Sequence, residues 1–289
     1  MTASVLATLR GQAADLQPAL RRVAEAVLAD PAHAATLSIS ELAASAAASP
    51  STVLRLCHAL GLEGYPELRL ALAGDVARRG TRTGQSGVDG DIARGDDLAS
   101  VVAKIAAADA RAVQDTAAAL DVGELERVID VLAAARRVDL YGVGASGIVA
   151  ADLQQKLTRI GRVAMAFSDA HLGVTSAALL RRGDAAVAIS HTGATTDTLD
   201  ALLVAASGGA TTIAVTNSPR SRLARAADHV LLTAANETTF RSGATASRLA
   251  QLTVVDCVFV GLAQRTFEAS QQALEATYDA VRHRPTSPP

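Results

Sequence analysis

Hydroxyl side chains are concentrated at one point of the sequence in a pattern that could hold an anion. The run A-A-V-A-I-S-H-T-G-A-T-T-D-T-L, residues 185–199, sets Ser190, Thr192 and Thr195 around Gly193. Residues 186–189 form a short apolar run of the kind that makes a fully buried parallel strand, and residues 196–207 turn to helical spacing with Leu199, Leu202 and Leu203. A loop leaving a strand and entering a helix exposes unpaired backbone N–H groups at the positive end of the helix dipole. Hydroxyls add donors that rotate to meet phosphate oxygens, and each hydrogen bond to a charged group contributes ~1.5 to 3 kcal/mol. Ser and Thr before a helix also serve as ordinary N-caps, so the pattern alone leaves both readings open.

A second loop, Y-G-V-G-A-S-G at 141–147, supports two chemistries. Gly142, Gly144 and Gly147 match the dinucleotide pattern G-x-G-x-x-G, with Asp169 at a suitable distance to take a ribose hydroxyl. Alternatively, Ser146 and the hydroxyl loop surround one small phosphate from two sides. His171 and His191 are candidates to face a bound ligand, although lone histidines are more often structural.

Near the N-terminus, Leu16, Leu20, Val23 and Val27 recur at helical spacing, and Pro31 helps to end that helix. Ser38 and Glu41 form a capping box for a second helix, and the tight connection Ala46-Ala47-Ala48 follows it. Ser49 then acts as N-cap and Pro50 takes the first position of a third helix over residues 50–60. Val53, Leu56, Cys57 and Leu60 fall on one side of it; Ser51, Thr52, Arg55 and His58 fall on the other. Two short helices with such a second face form a helix-turn-helix arrangement. Ser49, Ser51, Thr52, Arg55 and His58 are its candidate DNA contacts, with Arg55 suited to guanine O6 and N7. Residues 1–80 hold seven Arg and no Lys against seven acids, so the segment has no strong basic footprint and binding needs a dimer with a few well-placed Arg.

These sites need a scaffold. Composition shifts to Gly, Arg, Asp, Ser and Thr after Gly74, which divides the chain into a first domain over 1–77, a linker over 78–97 and a second domain over 98–289. After helical segments at 98–120 and 123–136, strand and helix patterns alternate: 138–141, 148–160, 162–167, 170–180, 186–189, 196–207, 211–215, 223–226 and 229–232. A long last helix is predicted over 246–267. The expected fold is an all-α helix-turn-helix domain followed by an α/β three-layer domain with a five-stranded, doubly wound parallel sheet. Hydrophobic residues make up 49% and aromatics only 2%, which suits a core of Ala, Val, Leu and Ile. The net charge of −2 excludes a general polyanion binder, and two distant cysteines argue against a disulfide framework or a metal cluster. Without a signal-peptide or membrane-span pattern, the expectation is a cytoplasmic protein with no membrane partner.

The run from Leu37 to Arg69, L-S-I-S-E-L-A-A-S-A-A-A-S-P-S-T-V-L-R-L-C-H-A-L-G-L-E-G-Y-P-E-L-R, resembles the DNA-binding domain of RpiR-type transcriptional regulators. It departs at Ala47, where that family usually has Gly. The second domain is similar to the sugar isomerase (SIS) domain, and residues 241–256, R-S-G-A-T-A-S-R-L-A-Q-L-T-V-V-D, look like its regulator branch. The resemblance implies a transcriptional regulator of sugar catabolism genes, in this family more commonly a repressor. Its implied effector is a sugar phosphate held by Gly144, Ser146, Ser190, His191, Thr192, Gly193 and Thr195, with no metal or other cofactor. A homodimer or homotetramer on a roughly palindromic operator is implied as well. SIS isomerases place a Glu base early in the last helix, where this chain has Ser247 and Arg248, so turnover is not expected. A sugar-phosphate isomerase using Glu237, or an NAD(H)-sensing redox repressor using the glycine loop, are the alternatives.

Overall fold

The computed structural model describes residues 5–13, 16–80, 92–235, 237 and 245–282. The chain divides into two units, Met1–Ala119 with Ala234–Ser247, and Leu120–Thr233 with Arg248–Pro289.

The first unit contains α1 (Val5–Gln12), α2 (Pro18–Ala29), α3 (Pro31–Ala34), α4 (Ile39–Ser45), α5 (Pro50–Ala59), α6 (Tyr65–Gly80) and α7 (Leu98–Ala119). The capping box forms as the sequence predicts. Ser38 Oγ accepts from the Glu41 N–H at 3.3 Å, and the Glu41 carboxylate accepts from the Ser38 N–H at 2.7 Å. That backbone hydrogen bond holds the Glu41 carboxyl below its ordinary range. Leu42, Ala43, Val53, Leu56 and Cys57 bury against Leu20, Val23, Val27 and Leu68; Leu60, expected on the packed face, is only half-buried. Burial pushes the Cys57 thiol up to about 11, which leaves it protonated and unreactive at neutral pH.

The connection between α4 and α5 shows how the departure at Ala47 is accommodated. The Ala48 N–H donates to Ala43 O and the Ala47 N–H to Ala44 O, closing a Schellman motif whose left-handed position is Ala47, with φ of 46°. The same bond pair ends α5 at Gly61, with φ of 79°, so the motif itself is not special to α4. Arg22 reaches across to the Ala46 and Ala47 carbonyls at 3.4 and 3.3 Å and braces the turn.

Three features lie outside the sequence expectation. Helix α1 was not expected; it is fixed by buried Asp75, whose carboxylate accepts from the Leu6 N–H at 2.9 Å. Because α6 is held in this way, it continues through residues assigned above to the linker; residues 81–91 of that linker lie outside the described residues. Helix α7 groups with the first unit, where Asp115 pairs with Arg10 at 2.6 Å and Thr116 Oγ1 accepts from the Ala234 N–H.

The second unit contains α8 (Val122–Ala134), β1 (Val138–Tyr141), α9 (Ala145–Arg159), β2 (Ala164–Phe167), α10 (Ala170–Ala177), β3 (Ala185–Ile189), α11 (Thr196–Ser207), β4 (Thr211–Thr216), α12 (Arg222–Ala226) and β5 (His229–Leu232). Helix α13 (Ala246–Arg265) enters it, and α14 (Phe267–Arg282) ends it. The sheet is five-stranded and parallel, in the order β2-β1-β3-β4-β5. Side chains alternate along β3: Ala185, Val187 and Ile189 join the core with α8, α9 and α13, while Ala186 and Ala188 meet α10 and α11. On β1, buried Asp139 is paired with Arg137 at 2.7 Å and accepts from Ser176 Oγ of α10 at 2.7 Å, so the charge is compensated.

The last helix ends earlier than expected, at Arg265. Thr266 Oγ1 donates to the Leu262 carbonyl and lies 2.8 Å from Ser270 Oγ, and the separate helix α14 follows. Among the described residues, α13 is the one helix long and apolar enough to cross a membrane, yet its Val254, Val255, Val258 and Leu262 belong to the core beside the sheet.

The turn yields a stability prediction. Ala47→Gly relieves a left-handed penalty of ~1 kcal/mol, part of which is offset by the greater freedom of glycine in the unfolded chain. A higher urea midpoint for the first unit is the expected outcome. A lower midpoint would mean that Ala47 does not hold a left-handed conformation.

Candidate functional site

Strands β1 and β3 are neighbours, with Tyr141 opposite Ala188, so the loops that follow them emerge side by side at the carboxyl edge of the sheet. This is where open parallel sheets bind ligands. After β3, buried Ser190 donates its N–H to Val215 O, and its Oγ accepts from the Gly193 N–H at 3.1 Å. Ser190 Oγ also lies 3.1 Å from Thr195 Oγ1. Thr192 is exposed and its Oγ1 accepts from the Ala194 N–H at 3.2 Å.

The loop is anchored from behind by the segment following β4. The His191 carbonyl accepts from the Asn217 N–H and from Thr216 Oγ1, at 3.0 and 3.2 Å. The Gly193 carbonyl accepts from the Leu223 N–H at 3.1 Å. Gly193 has φ of 61°, and a Cβ there would lie 2.2 Å from Ser221 Oγ and 2.9 Å from Thr216 Oγ1. Only glycine fits both the conformation and the space.

The cap pattern sets Thr195 apart from the capping hydroxyls. Asp30, Ser38, Ser49, Asp121, Asp169 and Ser221 each accept a first-turn N–H of the helix they precede. Thr195 precedes α11 and makes no such bond, its hydroxyl being directed to Ser190 instead. Gly144, which precedes α9, has no side chain to offer. Helix α2, which starts at Pro18 after Gln17, also lacks a side-chain cap, but it lies outside the sheet-edge loops. The two helices that follow β1 and β3 therefore present uncapped first turns at one sheet edge. Ordinary N-cap chemistry does not account for Thr195.

In the first loop, Gly144 has φ of 59° and open space where a Cβ would stand. Gly142 and Gly147 are different, because a Cβ on either would come within 2.6 to 2.8 Å of the other side of the β1–α9 turn. Close packing explains their spacing, and Asp169 is already engaged as the cap of α10, accepting from the Leu172 N–H at 2.8 Å. The glycine packing fits either reading, while the dinucleotide reading finds its acidic residue already engaged as a cap. Ser146, in the first turn of α9, is held by Gln251 of α13: its Oγ lies 3.1 Å from Gln251 Nε2 and 3.3 Å from Oε1. Sequence reasoning missed Gln251, because one glutamine on an apolar helix carries no spacing signal. His191 is half-buried and contributes its carbonyl to the anchor, while His171 is exposed in the first turn of α10. Glu237 accepts from Ser247 Oγ.

In the first unit, α5 exposes Ser51, Leu54, Arg55 and His58, with Thr52 half-buried. Ser49 Oγ accepts from the Thr52 N–H and lies 2.7 Å from Ser51 Oγ, so the cap gathers three hydroxyls at the helix start. Arg55 donates to Gln17 Oε1 at 2.9 Å and is thereby aimed along the surface. Arg22 and Arg69 donate to backbone carbonyls.

The class follows from comparison with known proteins. Residues 3–79 match the helix-turn-helix domain of the rpiR family, and residues 131–261 match the SIS domain. An uncharacterized HTH-type transcriptional regulator of Caldanaerobacter subterraneus subsp. tengcongensis is 39% identical over 97% of this chain and 98% of its own. The uncharacterized HTH-type regulator YbbH of Bacillus subtilis is 37% identical over 98% of both. Among solved structures, Vibrio vulnificus NanR complexed with ManNAc-6P aligns with a TM-score of 0.62 at 28% identity, covering 98% of this chain and all of that one. The chain belongs to the RpiR family of helix-turn-helix transcriptional regulators with a C-terminal SIS domain.

The anchored loop yields its own prediction. Gly193→Ala combines a left-handed penalty with overlap at Ser221 and lowers the stability of the second unit by ~2 kcal/mol or more. Urea denaturation reads this as a lower midpoint, and an unchanged midpoint would show that the loop is not packed against Ser221.

Proposed function

We propose that the hydroxyl-lined edge of the second unit binds a sugar phosphate and that its occupancy controls the affinity of the helix-turn-helix domain for operator DNA. The observation that carries this reading is the pair of uncapped helix starts, α9 and α11, bordered by Ser146, Ser190, Thr192 and Thr195. An anion there receives backbone N–H groups, two helix dipoles and several hydroxyls. NanR, a full-length structural neighbour, is complexed with ManNAc-6P, which supports an amino-sugar phosphate as the first class to test. Gly144 leaves the backbone open to the phosphate, Gly193 lets the loop pack against Ser221 and so positions the hydroxyls, and His191 flanks the phosphate.

On this account the domain over 1–77 binds DNA, residues 98–289 carry the effector site, and a homodimer or homotetramer meets a roughly palindromic operator near sugar-catabolism genes. Half-sites one helical turn apart, about 34 to 36 Å, match two recognition helices. Repression relieved by the effector is the proposed sign. Turnover is not part of the reading: the helix start that holds the base in SIS isomerases has Ser247 and Arg248 here, and the relatives are named as regulators.

A gel-shift assay on DNA from around the protein's own gene, repeated with sugar phosphates and with NADH, tests the reading. A specific shift altered by a sugar phosphate is expected; a response to NADH alone would overturn it in favour of the dinucleotide alternative. Thr195→Val removes a hydroxyl that caps nothing and should weaken effector binding by ~1.5 to 3 kcal/mol in a calorimetric titration, whereas wild-type affinity would remove Thr195 from the site. Arg55→Ala should weaken specific operator binding by ~1 to 3 kcal/mol. Undiminished binding would mean that α5 is not the reading helix.

A further inference from the structure

The Ser146–Gln251 contact carries more than the position of one hydroxyl. Gln251 is 1% exposed, and Ser146 is the one hydrogen-bond partner of its amide among the described residues. An amide has two N–H donors and a carbonyl with two lone pairs. A single hydroxyl leaves at least one buried N–H unmatched, which is a costly state for a polar group shielded from water. The unmatched donor sits beside the hydroxyl that the proposed function places on the effector phosphate. An anion oxygen arriving at Ser146 therefore meets a hydroxyl whose other partner is a buried, incompletely paired amide.

The proton count makes the contact sensitive to an anion. Ser146 has one hydroxyl proton, which without ligand is donated to Gln251 Oε1, while Ser146 Oγ accepts from Gln251 Nε2. A phosphate oxygen that takes this proton leaves the Nε2 donation in place and deprives Oε1 of its donor. Effector occupancy would then reach α13 as the loss of one hydrogen bond to the Gln251 carbonyl.

Helix α13 is placed to pass such a change on. Lys156 of α9 bridges Asp152 of its own helix and Asp256 of α13, and Val254, Val255 and Val258 tie α13 to the core beside the sheet. One turn before Gln251, buried Ser247 donates to Glu237. Ala246 and Ser247 group with the first unit and the remainder of α13 with the second, so the helix runs through the division of the chain.

We propose that Gln251 is an effector-site residue that couples phosphate binding at Ser146 to α13 and, through the start of that helix, to the DNA-binding unit. This rests on the sugar-phosphate reading of the same site. The test uses the full-length protein, with N-acetylmannosamine 6-phosphate and the other sugar phosphates of the gel-shift panel as probes. Calorimetry measures probe affinity, and operator titration at saturating probe measures the response separately.

Gln251→Met, close to Gln in shape but without polar groups, should raise the probe dissociation constant about tenfold or more. At saturation it should also lose most of the wild-type change in operator affinity. Gln154→Met is the structural control: it removes another amide contact of α9, the one accepting from the Ala166 N–H at 2.9 Å, and should keep the response. Should Gln251→Met fail to fold, Gln251→Glu retains the acceptor for Ser146 while losing the N–H donors, and the same loss of affinity and response is expected. Wild-type response at saturation in either folded Gln251 variant overturns the coupling role. Equal loss in Gln154→Met would reduce Gln251 to a structural residue. If the wild-type protein binds no probe in the panel, the sugar-phosphate reading and the Gln251 proposal fall together; if it binds but the Gln251 variants match it, only the latter falls.

Discussion

Backbone N–H groups at the start of a helix need an acceptor, and where this chain supplies one and where it withholds one organises the account. Side chains fill that role ahead of α3, α4, α5, α8, α10 and α12, but not ahead of α2, α9 or α11. Of these, α9 and α11 follow the neighbouring strands β1 and β3, so their uncapped starts lie at one edge of the sheet. Keeping a loop open in this way requires support from elsewhere. The Thr216–Asn217 backbone and side chain, Leu223 and Ser221 provide it by gripping the carbonyls of His191 and Gly193 and closing the space beside Gly193. Stability is thus supplied behind the loop, and the proposed effector site lies on its front.

Much of this could be read from the residues. The strands were legible because they are short apolar runs between turn residues, and the α4–α5 pair because Ser38, Glu41, Ser49 and Pro50 are local signals that need no tertiary information. The hydroxyl loop was visible as a cluster, but its meaning was not. Whether Thr195 caps α11 or faces outward depends on the placement of Ser190, five residues away and fixed by β4. Gln251 was illegible for a similar reason, since its partner is 105 positions distant. Helix α1 is held by buried Val5, Leu6 and Leu9 and by the contact of Asp75 with Leu6, and the grouping of α7 rests on long-range contacts such as Arg10 with Asp115 and Thr116 with Ala234, which a local reading does not reveal. The break at Thr266 has no Gly or Pro to announce it, only a hydroxyl bonding back to Leu262.

The DNA-binding unit follows a different economy of charge. Arg22 and Arg69 stabilise turns by donating to carbonyls, and Arg55 is oriented by Gln17. With seven Arg against seven acids over residues 1–80, such a unit gains little from nonspecific attraction to phosphates. On the proposed homo-oligomeric reading, affinity would depend on the spacing of two copies.

The central claim is a thermodynamic link between the hydroxyl site and the operator, and linkage is reciprocal. The most direct measurement is a calorimetric titration of the effector into full-length protein, with and without saturating operator duplex. The account predicts that operator weakens effector binding by the same factor by which effector weakens operator binding, in the range of about 5-fold to 150-fold. Identical effector affinity in the two titrations would contradict it, because a site that does not feel the DNA cannot control it.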